Sequence, residues 1–274
     1  MKKLSVVVVA LVLFLSTSAQ EQKTTVDNIF KGTRLVNGQS ANLVEHGKLL
    51  LLIQHRFGDI KGGAYQLFGL DQATMRLGFE YGLGENINVG IGRSTFMKTY
   101  DAFGKFRFAQ QSQDFPLTIV GTLGGSVPTI KQVFPAAHNS FSDKFSGNIQ
   151  LHLAKTMGDV GIQLSPGYLN TGYLPAKNEK LSVFTLGIGG AVKLAKNISF
   201  NVEYLYNSNN KITAKKPLSA SIDITTGEHL FQLLFSNSQQ MFNQALYTQT
   251  AGDWGTGNIY FGFNLIRKFR LKYY

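Results

Sequence analysis

Few residues in this sequence have the types and spacing that catalysis or metal binding requires. His138, Asn139 and Ser140 have the residue types of a serine hydrolase site. Adjacent residues on one segment rarely orient as nucleophile, base and orienting group, because such a site is a spatial arrangement. The five histidines are dispersed, without the spacing of metal ligands, and there is no cysteine. We therefore expect no catalytic residues, no metal site and no cofactor.

Ionisable residues do recur in segments where polar and apolar side chains alternate. If these segments are strands of a closed sheet, their polar faces meet in a lumen. Opposed charges across a narrow lumen can select solutes, or they can form an ion-pair network that fills it. Both interpretations stay open at this point. The residues expected to face the lumen are Arg56, Arg76, Glu80, Asp101, Lys105, Arg107, His152, Lys193, Glu203 and Asp223.

The alternation itself is the dominant pattern after residue 47. In residues 72–81 the even positions are polar or glycine, and the odd positions are apolar or aromatic. Side chains point alternately to the two faces of a strand, so this period of two predicts one apolar and one polar face. The pattern predicts twelve strands, at residues 48–57, 72–81, 87–94, 99–109, 117–126, 145–154, 160–168, 184–194, 198–206, 218–224, 229–236 and in a last run from 258.

The links between these segments have a second regularity. Links after even-numbered strands are short, such as 82–86, 157–159 and 195–197, whereas most links after odd-numbered strands are long. Short turns at one end and long loops at the other are typical of bacterial outer-membrane barrels. Because backbone groups cannot stay unpaired in hydrocarbon, the sheet must close. The prediction is an all-β fold: a closed antiparallel up-and-down transmembrane β-barrel of about 12 strands.

The first residues predict export. A basic start is followed by an apolar run at residues 4–15 and by small residues at 16–19, which is the order of a secretory signal peptide. We expect a signal peptide at 1–19, a periplasmic or plug-like segment at 20–46, and an outer-membrane barrel at 47–274. Within the second segment, Ser40 to Gly47 has the pattern of one short helical turn.

Charge bears on the choice of partners. The formal net charge is +11, but the basic residues are scattered rather than gathered on one face. A nucleic-acid-binding protein would concentrate them, so no nucleic-acid partner is expected. The aromatic end of the chain, residues 269–274, has the form of an assembly signal for the outer membrane. The expected partners are the lipid bilayer and the outer-membrane assembly machinery.

Several short stretches resemble a known family. They are residues 30–38 (Phe-Lys-Gly-Thr-Arg-Leu-Val-Asn-Gly), 55–58 (His-Arg-Phe-Gly), 66–73, 92–94 and 98–101. Together they resemble an uncharacterised family of bacterial outer-membrane β-barrel proteins, strongly over residues 30–108 and loosely beyond. The resemblance implies the fold and the outer-membrane location. It implies no substrate and no catalytic residues.

The function expected from these patterns is a narrow channel, or a carrier for a small solute or an apolar ligand, that is not an enzyme. A membrane-embedded lipid-modifying enzyme is one alternative. It would need a serine and histidine pair at the bilayer-facing wall, which the sequence does not supply. A structural barrel with a filled lumen is the other alternative. Barrels of eight strands are packed and those of sixteen or more are open, so a barrel of twelve lies between.

Overall fold

The computed structural model describes residues 25–26, 29–131 and 133–271. The predicted signal peptide lies outside the described residues. The described chain forms twelve strands in one closed barrel, in which each strand pairs antiparallel with its neighbours in sequence and β1 pairs with β12. The strands are β1 (Lys48–Asp59), β2 (Ala73–Gly82), β3 (Ile87–Ser94), β4 (Thr99–Ala109), β5 (Thr118–Pro128), β6 (Ser146–Met157), β7 (Val160–Asn170), β8 (Ser182–Ala195), β9 (Ile198–Asn207), β10 (Leu218–Thr226), β11 (His229–Ser236) and β12 (Tyr260–Arg270).

The alternation places apolar side chains on the outside of the barrel. In β2, Met75, Leu77 and Phe79 are each 41% exposed, whereas Arg76 and Glu80 at the alternate positions are buried. An apolar exterior around a polar interior is the reverse of a soluble barrel, and it matches a barrel surrounded by lipid. The predicted fold class and strand count are confirmed, and β3, β4 and β11 begin and end at the predicted residues.

The two ends of the barrel differ. The short links after even-numbered strands lie at one end, which we call the periplasmic end because outer-membrane barrels place their short turns there. The other end, the outer end, has loops with 3₁₀ turns at Ile60–Gly69, Phe96–Lys98, Ala136–His138 and Trp254–Thr256 and two short helices, α1 (Phe141–Lys144) and α2 (Asn243–Thr248). Among the described residues, no helix has the length and hydropathy needed to span a bilayer.

Residues 29–44, which we call the plug, lie inside the barrel. Their hairpin turn has Val36 and Asn37 at its tip, closed by a hydrogen bond from the amide of Leu35 to the carbonyl of Gly38. The apolar side chains of Ile29, Phe30, Leu35, Val36 and Ala41 form a buried cluster with inward-facing wall residues Val120, Ala154, Ala191 and Leu234. The barrel therefore has a core of its own, built around a segment that precedes its first strand.

The helical turn predicted at residues 40–47 is wrong. The structure has bends and extended backbone there, because the backbone groups find partners outside the segment. The hydroxyl of Ser40 donates to the carbonyl of Gly32, and the carbonyl of Ser40 accepts a hydrogen bond from Lys105 on the wall. Gly47 has a positive φ of 70° and its amide donates to the carbonyl of Gly82 in β2.

The long loop at residues 237–259, which we call the inward loop, enters the barrel from the outer end. Its helix α2 is buried from Gln244 to Tyr247 and contacts β6 and β9. The Tyr247 hydroxyl accepts a hydrogen bond from Gln150, and the Tyr247 carbonyl accepts one from Asn207. The lumen is thus filled from the periplasmic side by the plug and from the outer side by the inward loop.

Candidate functional site

Two ionisable residues of the wall form hydrogen bonds with the plug backbone. Lys105 of β4 is fully buried, and its Nζ donates to the carbonyl oxygens of Thr33 at 2.8 Å, Ser40 at 3.1 Å and Asn42 at 3.2 Å. Glu203 of β9 accepts hydrogen bonds from the amides of Asn37 and Gly38 at 2.8–3.0 Å. Each bond has one charged partner and is therefore stronger than a neutral hydrogen bond.

Three uncharged polar residues and one arginine of the wall also form hydrogen bonds with the hairpin. Gln163 accepts from the amide of Ala41 and donates to the carbonyl of Gln39, and Gln232 donates to the carbonyl of Leu35. Asn264 of β12 donates to the carbonyl of Val36, and Arg56 of β1 donates to the side-chain oxygen of Asn37. The polar face of the wall is therefore matched to the backbone of the plug.

Most of the ten charged residues expected in the lumen do face it. Arg76 forms an ion pair of 2.6 Å with Asp101, and Glu80 lies 3.8 Å from Arg34 of the plug. Arg107 is partly buried near the periplasmic end and donates to Gln110. Asp223 accepts from Ser221 and Gln232.

Lys193 does not lie where the sequence pattern puts it. It is exposed at the periplasmic rim, 3.8 Å from Asp159 of the neighbouring turn. Lys193 still pairs in register with Ser199 and the register shift follows it, so its exposure comes from its place at the end of β8, where its long side chain reaches solvent.

Little empty space is left between the plug and the inward loop. One cavity of 20 Å³ lies between Arg34, Phe103 and Phe242, and another of 10 Å³ lies between Leu35, His152 and Tyr247. A cavity needs about 10–15 Å³ to hold one water molecule. Each of these two cavities therefore has room for about one water molecule, and a third, of 90 Å³, lies toward the periplasmic end between Leu43, Leu50 and Leu230.

The described residues include one close serine and histidine pair, and it is sealed in this interior. Nδ1 of His152 lies 2.9 Å from Oγ of Ser165, and Nε2 lies 2.9 Å from Oγ1 of Thr122. All three side chains are buried in the lumen and none of these contacts involves a carboxylate. The arrangement has no orienting acid and no access for a lipid substrate, both of which a hydrolase site of this type needs.

A larger cavity lies among the loops at the outer end. It has a volume of 490 Å³, within the range of pockets for small organic ligands, and we call it the outer pocket. Loops after β3, β5, β7, β9 and β11 supply its wall, with Thr248, Gln249 and Thr250 of the inward loop contributing to it. Its apolar lining includes Val133, Phe134, Tyr173, Leu174, Pro175 and Ala214.

Two lysines give the outer pocket its charge. Lys144 lies 5.7 Å from the centre of the Phe134 ring, in a cation–π arrangement, and Lys177 lies 3.4 Å from the hydroxyl of Thr213. No aspartate or glutamate is among the described residues that line the pocket. An apolar pocket with two cations and no carboxylate favours a ligand with an apolar body and an anionic group.

The motif His138-Asn139-Ser140 shapes the edge of this pocket. The imidazole of His138 stacks on Tyr173 with ring centres 4.0 Å apart, and the side-chain oxygen of Asn139 accepts from Lys144. Ser140 begins α1 and donates to Asp143, whose pKa is held below its usual value by this bond and by Lys180. The three residues therefore hold pocket side chains in place, and they do not form a catalytic group.

Sequence reasoning missed the plug contacts and the outer pocket for different reasons. Gln163, Gln232 and Asn264 lie on the predicted polar face, but only ionisable residues were singled out there. The hairpin of the plug contains Asn37-Gly38, a common pair in two-residue hairpin turns, but the central residues of its turn are Val36 and Asn37, so the pair marks only the neighbourhood of the turn. The outer pocket is built from loops, and loops without periodicity give no sign of which segments will meet.

Comparison with known proteins agrees with the geometry. A family model described as "Membrane bound beta barrel domain" matches residues 30–269, which include most of the plug and all but the end of β12. The chain belongs to this family. The family is one of unknown function, so membership establishes a membrane-bound barrel and agrees with the predicted outer-membrane location. No curated protein matches the sequence.

Solved structures support the fold alone. The NanC porin is similar with a TM-score of 0.54 at 10% identity, over 81% of this chain and 100% of that one. The KdgM porin has a TM-score of 0.49 at 7% identity, over 81% and 99%. The outer membrane phospholipase A from Escherichia coli has a TM-score of 0.42 at 10% identity, over 81% and 89%. A likeness at this level of identity shows the fold alone, so activity has to be argued from the site.

Proposed function

We propose that this family member is a non-catalytic binding barrel of the outer membrane, with a lumen closed to solutes and a ligand site in its outer pocket. The observation that carries the proposal is the placing of the outer pocket directly above a lumen filled from both sides. A molecule arriving from outside meets an apolar cavity of 490 Å³ and then a closed interior. Capture of a ligand is therefore favoured over free diffusion through a pore.

The ligand class follows from the lining. Phe134, Tyr173 and Leu174 offer apolar contact, and Lys144 and Lys177 offer two positive charges at the same cavity. We expect a small molecule with an apolar body and one carboxylate or phosphate group. The two cations give orientation and specificity, while burial of the apolar body supplies most of the binding free energy.

Calorimetry on the full chain in lipid nanodiscs tests this proposal, with 4-phenylbutyrate as an anionic probe and 4-phenylbutylamine as its cationic counterpart. We expect the anion to bind and the amine not to bind. Ala214→Phe fills the pocket and should abolish binding, whereas Lys144→Gln should weaken it by roughly tenfold, the loss of one charge-assisted contact. Lys211→Gln is the matched control, because Lys211 is exposed at the same end and pairs with Glu179 outside the pocket.

Two outcomes would contradict the proposal. Equal binding of both probes, unchanged by Ala214→Phe, would mean that the outer pocket is not a ligand site. A steady conductance of the unmodified chain in a planar bilayer would mean that the plug and the inward loop do not close the lumen. The second outcome would favour the narrow channel.

A further inference from the structure

A large cavity lies on the outside of the barrel wall. It is a groove of 1230 Å³ on the outer half of β3 to β7, and we call it the wall groove. Its lining includes outward-facing Ile91, Tyr100, Leu123, Ile149 and Tyr168. Since this surface faces the hydrocarbon of the bilayer, the occupant of the groove is an apolar, membrane-resident group.

Small residues on neighbouring strands make the groove deep. Ala102 of β4 pairs directly with Gly125 of β5, and Gly125 pairs with Gly147 of β6, so three small outward positions lie in one row. The ring of Phe145 lies over Gly125 and Gly147, where an added Cβ would be 2.6 Å and 3.3 Å from it, and it stacks on Phe141 with ring centres 5.8 Å apart. Ala102 at the end of the row stays exposed. The groove is therefore concave with a raised aromatic side, a shape that fits a convex rod such as an acyl chain.

The outer end of the groove carries positive charge on its lipid side. Arg93 is exposed on the outward face of β3, and its guanidinium carbon lies 5.5 Å from the centre of the Tyr100 ring, which lines the groove. Lys98 is exposed in the turn just above, and its carbonyl accepts a hydrogen bond from Thr129, also part of the lining. Neither cation forms an ion pair among the described residues.

We propose that the wall groove binds a phosphorylated, multiply acylated lipid of the outer leaflet. Its acyl chains lie over Ala102, against the rings of Tyr100 and Phe145, and its phosphate contacts Arg93 and Lys98. A guanidinium group can donate two parallel hydrogen bonds to one phosphate. Because Arg93 lies at the level of the lipid headgroups, its guanidinium can contact a headgroup phosphate directly. A second copy of this chain fits less well, because two concave surfaces cannot fill one another.

Native mass spectrometry of the full chain in detergent tests the proposal, with hexa-acylated lipid A carrying two phosphates as the probe. We expect one tightly retained lipid A, weak retention of zwitterionic phosphatidylethanolamine, and no competition by inorganic phosphate. Ala102→Leu narrows the groove and Arg93→Gln removes the guanidinium. Each should weaken lipid A retention by about tenfold or more.

Matched variants separate this site from general effects of the wall. Gly190 is an outward glycine of β8, where an added Cβ would lie 3.7 Å from the nearest atom, so Gly190→Leu adds the same bulk elsewhere. Arg267 of β12 also stacks on an aromatic ring, Phe269, but at the periplasmic end, so Arg267→Gln removes a comparable cation. Both controls should retain lipid A like the unmodified chain. A heat-dependent gel shift verifies that every variant is folded.

The proposal is overturned if Ala102→Leu and Gly190→Leu retain lipid A equally, or if Arg93→Gln and Arg267→Gln do. It is also overturned if the unmodified chain is a dimer in these spectra and Ala102→Leu is a monomer, since the groove would then be an interface between two copies. Because the outer pocket is not part of the groove, none of these outcomes depends on binding of phenylbutyrate.

Discussion

Replacement of Glu203 by glutamine should loosen the plug selectively. Both oxygens of Glu203 accept hydrogen bonds from the amides of Asn37 and Gly38, an arrangement that favours the charged carboxylate. A hydrogen bond to a charged group contributes about 1.5–3 kcal/mol, and a neutral one about 0.5–1.5 kcal/mol. Glutamine keeps one oxygen acceptor, but its NH2 group faces a backbone N–H of the plug that then has no acceptor. The free energy that holds the hairpin in place should therefore fall by about 2–4 kcal/mol.

This loss translates into a measurable opening of the hairpin. At 1.4 kcal/mol for each factor of ten, opening of residues 34–39 becomes roughly 30- to 700-fold more frequent. Hydrogen exchange measured by mass spectrometry reports this as faster deuterium uptake in peptides from the plug, with unchanged uptake in the strands.

Asp101→Asn is the control for this experiment. Asp101 is a lumen-facing carboxylate on β4, and its two oxygens accept from Arg76 of β2, which is a wall residue. Unchanged protection of the plug in Glu203→Gln would refute the reasoning. So would equal acceleration in the two variants, because it would show that any lost lumen charge loosens the barrel.

Three further outcomes are expected. Leu77→Arg on the lipid side of β2 should reduce the free energy of unfolding by about 2–4 kcal/mol if Leu77 lies near the midplane, measured by urea unfolding in lipid vesicles; no loss would place this face outside hydrocarbon. Lys105→Met should leave three plug carbonyls without their donor and speed proteolysis of the plug at least tenfold, while protease-resistant plugs would show that Lys105 is dispensable. Ser140 and Lys180 lower the pKa of Asp143, so the stabilisation of the α1 loop by its carboxylate is present at neutral pH and is lost as the pH falls through that lowered pKa. Hydrogen exchange measures this as a fall in the protection of the loop amides, relative to their intrinsic exchange rates. Protection that does not change with pH below about 4 would contradict the prediction.

The fold could be predicted from the sequence because the bilayer imposes one strict rule. Outward positions within the hydrocarbon are apolar or small, so the period of two is visible in residues 72–81 and recurs along the chain. Strand ends were also visible where a turn glycine or asparagine follows, as at Gly158 and Asn197. Which inward positions stand at the rim and reach solvent, as Lys193 does, is not marked in this way.

The interior could not be predicted in the same way. A polar inward face is required whether the lumen contains water or a protein segment, so Gln163, Gln232 and Asn264 look alike in both cases. The difference lies in whether their partners are waters or the backbone of residues 35–41, and that depends on contacts between positions more than a hundred residues apart. The same separation hides the outer pocket, which five loops form together.

The position of the hairpin tip bears on how the barrel is assembled. The strands β1 and β12 must meet last, since Lys48 and Arg270 stand at opposite ends of the barrel sequence, and such distant pairs are slow to find one another. The tip lies across this seam: Asn37 accepts from Arg56 of β1, Val36 accepts from Asn264 of β12, and Arg56 donates to Asn264 between them. Because the hairpin tip binds β1 and β12 at the same time, it should speed the final pairing of these two strands. Removal of the plug should therefore slow refolding, even where the finished barrel stays stable.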